Sequence, residues 1–217
     1  MKTNLLELTK AELRQIASFC TGNYKEIAVI GLATLFLTLA AYHPIGPPWL
    51  SSLIYFAALP VLTITLILRR NPLDFGLRLG NWKVWSLYVV ATIIVLLPIL
   101  YLASRIPALS NYYTRHQFDV GKYILETIVY LLAWEFIFRG FLLFGLKDKL
   151  KDISILVQMV PFVLVHIGKP ELETLSTIIT GIYFGYVAYR GNSYWPAFII
   201  HAFINIPFLI FVNELPF

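Results

Sequence analysis

Seven stretches of this 217-residue chain are apolar over nearly the length a helix needs to cross a bilayer. They cover about 27–43, 50–68, 84–103, 122–146, 153–168, 174–190 and 194–212. A hydrocarbon core ~30 Å thick is crossed by ~20 mostly apolar residues in helical form. The breaks fall where helix cannot continue. His43 to Pro48 reads HPIGPP, and Asn71 to Trp82 carries charges, glycines and a proline. Gly191, Asn192 and Ser193 make a tight link between the last two runs. The fifth and sixth runs are short, so one of them is a candidate re-entrant segment. The expected fold is all-α: a polytopic transmembrane helical bundle of about seven spans, with six or eight as alternatives.

Composition agrees. Only 13% of residues are charged, 59% are hydrophobic, and the mean hydropathy is +0.74. An ordinary soluble domain carries about a quarter charged residues. The single Cys20 excludes an intrachain disulfide and a cysteine-rich metal cluster. The net charge of +5 forms no basic stripe, so no nucleic-acid partner is expected. The basic residues instead set an orientation. With the N-terminus cytoplasmic, Lys2, Lys10, Arg14, Lys25, Arg69, Arg70, Arg78 and Lys83 lie inside. So do Lys147, Lys149, Lys151, Arg190 and, counted by its nearest helix end, Arg139. Arg105, Arg115, Lys122 and Lys169 fall outside. Residues 1–26 read as an amphipathic segment suited to the membrane surface, with Thr9 and Glu12 at capping-box spacing. Residues 27–217 read as one transmembrane domain with its core at about 122–212. Trp82, Trp85, Trp195, Tyr112, Tyr113 and Tyr194 suit an interfacial belt. Gly181 and Gly185 suit close helix packing.

Polar residues inside a membrane are costly, and this chain has few. Glu135 and Arg139 lie four apart in AWEFIFRGFLLFGL, with the acid N-terminal to the base, the favourable order for an ion pair. Alone, such a pair could be a neutralised contact between helices. Depth changes the weighting. At ~1.5 Å per residue, Glu135 lies roughly 18 Å from the cytoplasmic end of its run, and His166 roughly 22 Å from its own. His201 and Asn205 lie roughly 16 and 22 Å in, four residues apart on one face. Three helices thus carry their rare polar groups at matching heights, which marks a site. Serine, cysteine and threonine nucleophiles are missing from these stretches. A carboxylate beside a histidine can deprotonate water for attack on a carbonyl. A second histidine and an asparagine can stabilise the oxyanion. No cofactor is expected. Glu135, His166 and His201 are an alternative set of zinc ligands, although no HExxH supports it.

At these residues the chain resembles the CAAX-protease and bacteriocin-processing family of intramembrane endopeptidases, whose pattern is EExxxRG, FxxxH and HxxxN. Glu135, Arg139 and Gly140 match the end of the first motif, Phe162 and His166 the second, and His201 and Asn205 the third. The resemblance covers roughly 72–212 and is strongest over 130–207. It implies that His166 is the base or water-positioner, that His201 and Asn205 form the oxyanion hole, and that Arg139 orients the glutamate, with Phe162 in support. One position departs: Trp134 stands where the family has its first glutamate. Neighbours on a helix point ~100° apart. Either Glu135 takes over that role through a local shift, or the chain is a non-hydrolytic relative.

The expected function is hydrolysis of a peptide bond in a membrane-anchored or lipidated peptide or protein. The alternative is a pseudoprotease that binds such peptides, in an immunity or scaffold role. A proton-coupled transporter could use the same residues, but the inverted repeat that would favour it is missing. The bilayer and a lipidated peptide are the expected partners, and the cytoplasmic membrane of a prokaryote the expected location.

Overall fold

The computed structural model describes residues 5–115 and 117–214. Lys2 and the outer ends of the segments expected at 1–26 and 27–217 lie outside them. Among the described residues the chain is helical, without strands: α1 Leu5–Gly22, α2 Tyr24–Tyr42, α3 Pro48–Ile67, α4 Trp82–Ala103, α5 Pro107–Tyr113, α6 Val120–Leu150, α7 Ile153–Leu164, α8 Glu171–Gly191 and α9 Trp195–Asn213. Five of these, α2, α3, α4, α6 and α9, are long and apolar enough to cross a membrane. The other two expected spans differ for physical reasons. Helix α7 has 12 residues, ~18 Å of rise, and cannot cross alone. Helix α8 has the length, but Glu171 and Glu173 in its first turn and Arg190 in its last lower its apolarity.

The N-terminal helix α1 buries none of its residues, and Leu5, Leu8, Leu13, Ile16 and Phe19 are all exposed. The capping box expected at Thr9 and Glu12 does not form. The helix begins ahead of it at Leu5, and the Thr9 hydroxyl donates back to the Leu5 carbonyl at 2.9 Å. Thr9 is therefore a helix-interior threonine satisfying itself locally.

Helix α6 is the centre of the bundle. Of its most apolar window 67% is buried, against 11% for α4. Every residue from Glu135 to Phe144 is buried. Over Phe136–Leu142 the helix widens into a π-helical turn, a feature often found at functional sites. Gly140 lies in this turn with the Phe136 ring packed over its Cα, in the space a side chain would need. Arg139 is fully buried here, so its place in the charge count is withdrawn: it answers to Glu135, not to a membrane surface.

The loop from Asn71 to Asn81, whose composition suggested a solvated break, is clamped onto the α8–α9 turn. The Asn81 amide donates to the Gly191 carbonyl at 2.7 Å, the Tyr194 amide to the Gly76 carbonyl at 3.0 Å, and the Trp195 indole to the Leu77 carbonyl at 2.9 Å. Gly80 has φ +57° and abuts the Gly191 carbonyl, where a Cβ would collide. Tyr194 is only 3% exposed and packs on Phe136, so it belongs to the core rather than to an interfacial belt. This clamp fixes the start of α9, and with it the height of His201.

Helices α7 and α8 meet through the two glycines. A Cβ at Gly181 would lie 2.9 Å from Met159, and one at Gly185 would lie 2.5 Å from the Gln158 amide. Gln158 cannot swing aside freely, because its amide donates to the carbonyls of Ile155 and Gly181, each at 2.8 Å. Gly185→Leu should therefore destabilise the protein by about 1–3 kcal/mol through overpacking. Denaturant unfolding in detergent measures it, and unchanged stability would contradict the contact.

Candidate active site

The site grows from one turn of α6. Glu135 and Arg139 share a face, and the guanidinium Nη1 lies 3.1 Å from each carboxylate oxygen. Neither side chain reaches solvent. Helix α9 brings His201 against the same carboxylate, with Nδ1 2.6 Å from Glu135 Oε1. Arg139 is further held by aromatic faces. Its guanidinium carbon is 4.0 Å from the Phe162 ring centre and 5.1 Å from that of Phe184. Such stacking attracts a desolvated cation through the ring quadrupole. Donors remain: Arg139 Nε and Nη2, and the Glu135 Oε2 acceptor, have no hydrogen-bond partner among the described residues.

His166 follows the end of α7 in a tight turn. Its Nδ1 is 2.6 Å from the Phe162 carbonyl. Its own carbonyl accepts from the Lys169 amide at 3.1 Å and from the Thr174 hydroxyl at 2.8 Å. The ring is thereby held at Nδ1 and the backbone at its carbonyl, which leaves Nε2 free. Phe162 is the hub: its ring centre is 4.7 Å from that of His166 and 6.1 Å from that of His201. Trp134, half-buried, turns its ring edge-on to His166 with centres 6.0 Å apart, and packs against Phe56, Tyr130 and Phe138.

An apolar cavity of about 390 Å³ opens beside these groups, between α4, α5, α8 and α9. His166, His201 and Asn205 line it, and Glu135 does not. The Asn205 amide donates to the His201 carbonyl one turn back at 3.1 Å, leaving its second N–H for a ligand. Thus the cavity collects both histidines and the asparagine, while Glu135 lies behind His201. The local shift that would bring Glu135 to the place of the missing glutamate is not seen.

Sequence reasoning missed part of the wall. Near the start of the sixth apolar run, Glu171 and Glu173 read from the sequence as exposed, with lining an entry to the site as the alternative. Glu171 is exposed, but Glu173 lines the cavity and accepts from the Tyr113 hydroxyl at 2.6 Å and from Lys169 at 2.8 Å. Burial first, and then Glu173, holds the Tyr113 hydroxyl above the ordinary phenol range, so it stays a neutral donor. The one available signal was spacing, since Lys169 and Glu173 lie four apart. Ser176, Thr177 and Thr180 of α8 also line the cavity. Each donates its hydroxyl proton to a backbone carbonyl of its own helix. Among the described residues no group of three His, Cys, Asp or Glu side chains could hold a metal ion. The zinc set Glu135, His166 and His201 is thus not gathered: His201 turns one nitrogen to Glu135, and His166 turns one to a carbonyl.

Residues 116–207 match the family model of Rce1-like, type II CAAX prenyl endopeptidases. Over this segment the chain is similar to the CAAX protease family. It contains α6 to the middle of α9, and with them Glu135, Arg139, Phe162, His166, His201 and Asn205, while Tyr113 and the α4 and α5 walls of the cavity lie outside it. No curated protein and no solved structure matches the chain. Against the family's motifs, Trp134 is the departure, and it fills the flank of His166 with an indole where a carboxylate is expected.

The buried ion pair makes a sharp stability prediction. Breaking it from one side leaves a bare charge in the bundle, so Glu135→Gln and Arg139→Gln should each cost about 3–5 kcal/mol. The double variant should cost much less than their sum, because both charges leave together. Denaturant unfolding of all four proteins in detergent measures the coupling, and strict additivity would show the pair to be inert.

Proposed function

We propose that the protein is an intramembrane endopeptidase that hydrolyses a peptide bond of a membrane-anchored or lipidated peptide. The observation that carries this reading is the apolar cavity lined together by His166, His201 and Asn205. An extended peptide with an apolar modification suits such walls, and the polar groups meet it at one end. Water held between the histidines loses a proton, attacks the carbonyl, and the oxyanion takes a hydrogen bond from Asn205. No serine, threonine or cysteine in the cavity is paired with a histidine, which favours water as the nucleophile over an acyl-enzyme.

Cleavage of a lipidated peptide by reconstituted protein tests this. His166→Ala and His201→Ala should each lower kcat by about 10²–10⁴-fold. Asn205→Ala should lower it by about 10²–10³-fold. Wild-type rates in all three would remove the site from the reaction.

A specific observation also favours a second reading, recognition without cleavage: Trp134 occupies the side of His166 where the family has a carboxylate. In that case wild-type protein binds peptide and leaves it intact, while Trp134→Glu turns cleavage on. If wild type cleaves and Trp134→Glu does not improve it, the second reading falls.

The orientation with a cytoplasmic N-terminus belongs to the same proposal, and Cys20 tests it. It is the sole cysteine and is exposed on α1. A membrane-impermeant maleimide should label it in inverted vesicles and leave it unlabelled in intact cells. The opposite pattern reverses the topology.

A further inference from the structure

We propose that in this protein the base is His201, oriented and charge-balanced by Glu135, and that His166 positions the water. The family resemblance implies His201 as part of the oxyanion hole and His166 as base or water-positioner, so the change is to His201, while His166 keeps the second of its implied roles. It rests on the peptidase reading.

The argument starts from what each partner can do. A carboxylate paired with Arg139 only accepts hydrogen bonds, and so does a backbone carbonyl. The 2.6 Å contact of His201 Nδ1 with Glu135 Oε1 therefore puts the proton on Nδ1. The 2.6 Å contact of His166 Nδ1 with the Phe162 carbonyl does the same for His166. In its neutral form each ring then keeps an Nε2 lone pair, and both rings line the cavity. A neutral His201 in this tautomer has no Nε2 proton to give an oxyanion. It is built to receive one.

Which ring becomes the base is decided by what stands behind it. Taking a proton makes an imidazolium. Behind His201 stands a carboxylate, fully buried, in a setting where opposite charges attract strongly. Behind His166 stands a neutral carbonyl, and on its flank the Trp134 indole. The positive charge is better tolerated on His201. His166 then accepts a hydrogen bond from the second O–H of the water and aims it.

The steps balance without any further reactant. Water gives one proton to His201 Nε2, and its oxygen bonds to the peptide carbon. The carbonyl π pair moves onto oxygen, which takes the spare N–H of Asn205. The tetrahedral species collapses, the C–N bond breaks, and His201 Nε2 returns the proton to the leaving nitrogen. The products are a carboxylic acid and an amine. Glu135 touches neither substrate nor water, so it is a positioning residue acting through His201.

Two variants in a reconstituted cleavage assay separate this from the alternatives, with folding checked by thermal unfolding. His201→Gln keeps a side-chain N–H donor but cannot take a proton. It should lose kcat by about a hundredfold or more, since a positioned base contributes on that order. Glu135→Gln alone leaves Arg139 bare and could fail to fold, so it is paired with Arg139→Gln. That double variant should also lose about a hundredfold in kcat, with KM and peptide binding changed by less than about threefold. A purely structural role would instead move stability and KM together. If His201→Gln keeps kcat within about tenfold, His201 is a donor and the inference is overturned. If the double variant keeps kcat within about threefold, the role of Glu135 is overturned. A wild-type protein that binds peptide and never cleaves overturns the peptidase reading itself, and the base assignment with it.

Discussion

The fold is organised around a charge that lipid will not accept alone. Glu135 sits in the middle of α6 with no access to water. A bare carboxylate there would cost several kcal/mol. Arg139, one turn on, and His201, from α9, remove that cost by direct contact. Each of those partners then needs support of its own. Arg139 is too large and too polar for an apolar bundle, so the rings of Phe162 and Phe184 cover its face. Phe162 comes from α7 and Phe184 from α8, and the contact of those helices depends on the glycines at 181 and 185. One acidic residue thus dictates the neighbours of four helices.

The same chain of contacts reaches the cavity. Phe162 gives its ring to Arg139 and its backbone carbonyl to His166. The clamp of the 71–81 loop on the α8–α9 turn sets the start of α9 and thereby the height of His201. The two histidines therefore reach one cavity by different routes, one through a helix terminus and one through a helix interior. Rigid placement of this kind is what proton transfer in a dry site requires, because geometry within hydrogen-bond reach comes before basicity.

The helices were legible in the sequence because lipid imposes length and apolarity on each segment, and those are local properties. That His166, His201 and Asn205 would lie near one another was legible because polar groups in such segments are rare, and depth is a matter of counting. What could not be read was rotation. Helical spacing says that Glu135 and Arg139 share a face, but not which neighbour that face meets. The carboxylate turned to His201 rather than to His166, a choice made by how α9 and α7 pack on α6. Tyr194 and Glu173 escaped for the same reason. Each looked like an interfacial or exposed residue by position, and each was turned inward by a contact distant in sequence, with Gly76 and Phe136 for one and Tyr113 for the other. The capping box at Thr9 was a pattern without its context, since the helix had already begun.

Trp134 becomes intelligible in the same electrostatic terms. Arg139 already neutralises Glu135. A second carboxylate at 134 would add a negative charge beside the first, in a setting where like charges repel strongly and water does not screen them. With tryptophan there, Glu135 faces Arg139 and His201 with no second carboxylate beside it at 134. Its indole packs with Phe56, Tyr130 and Phe138, so the position contributes apolar contact in place of charge. The consequence is chemical as well as structural. Removing the carboxylate beside His166 leaves only one histidine with an anion behind it, and the centre of basicity moves with that anion. In this site, then, the histidine with a carboxylate directly behind it is His201, on α9, while His166 has a neutral carbonyl and an indole as its neighbours.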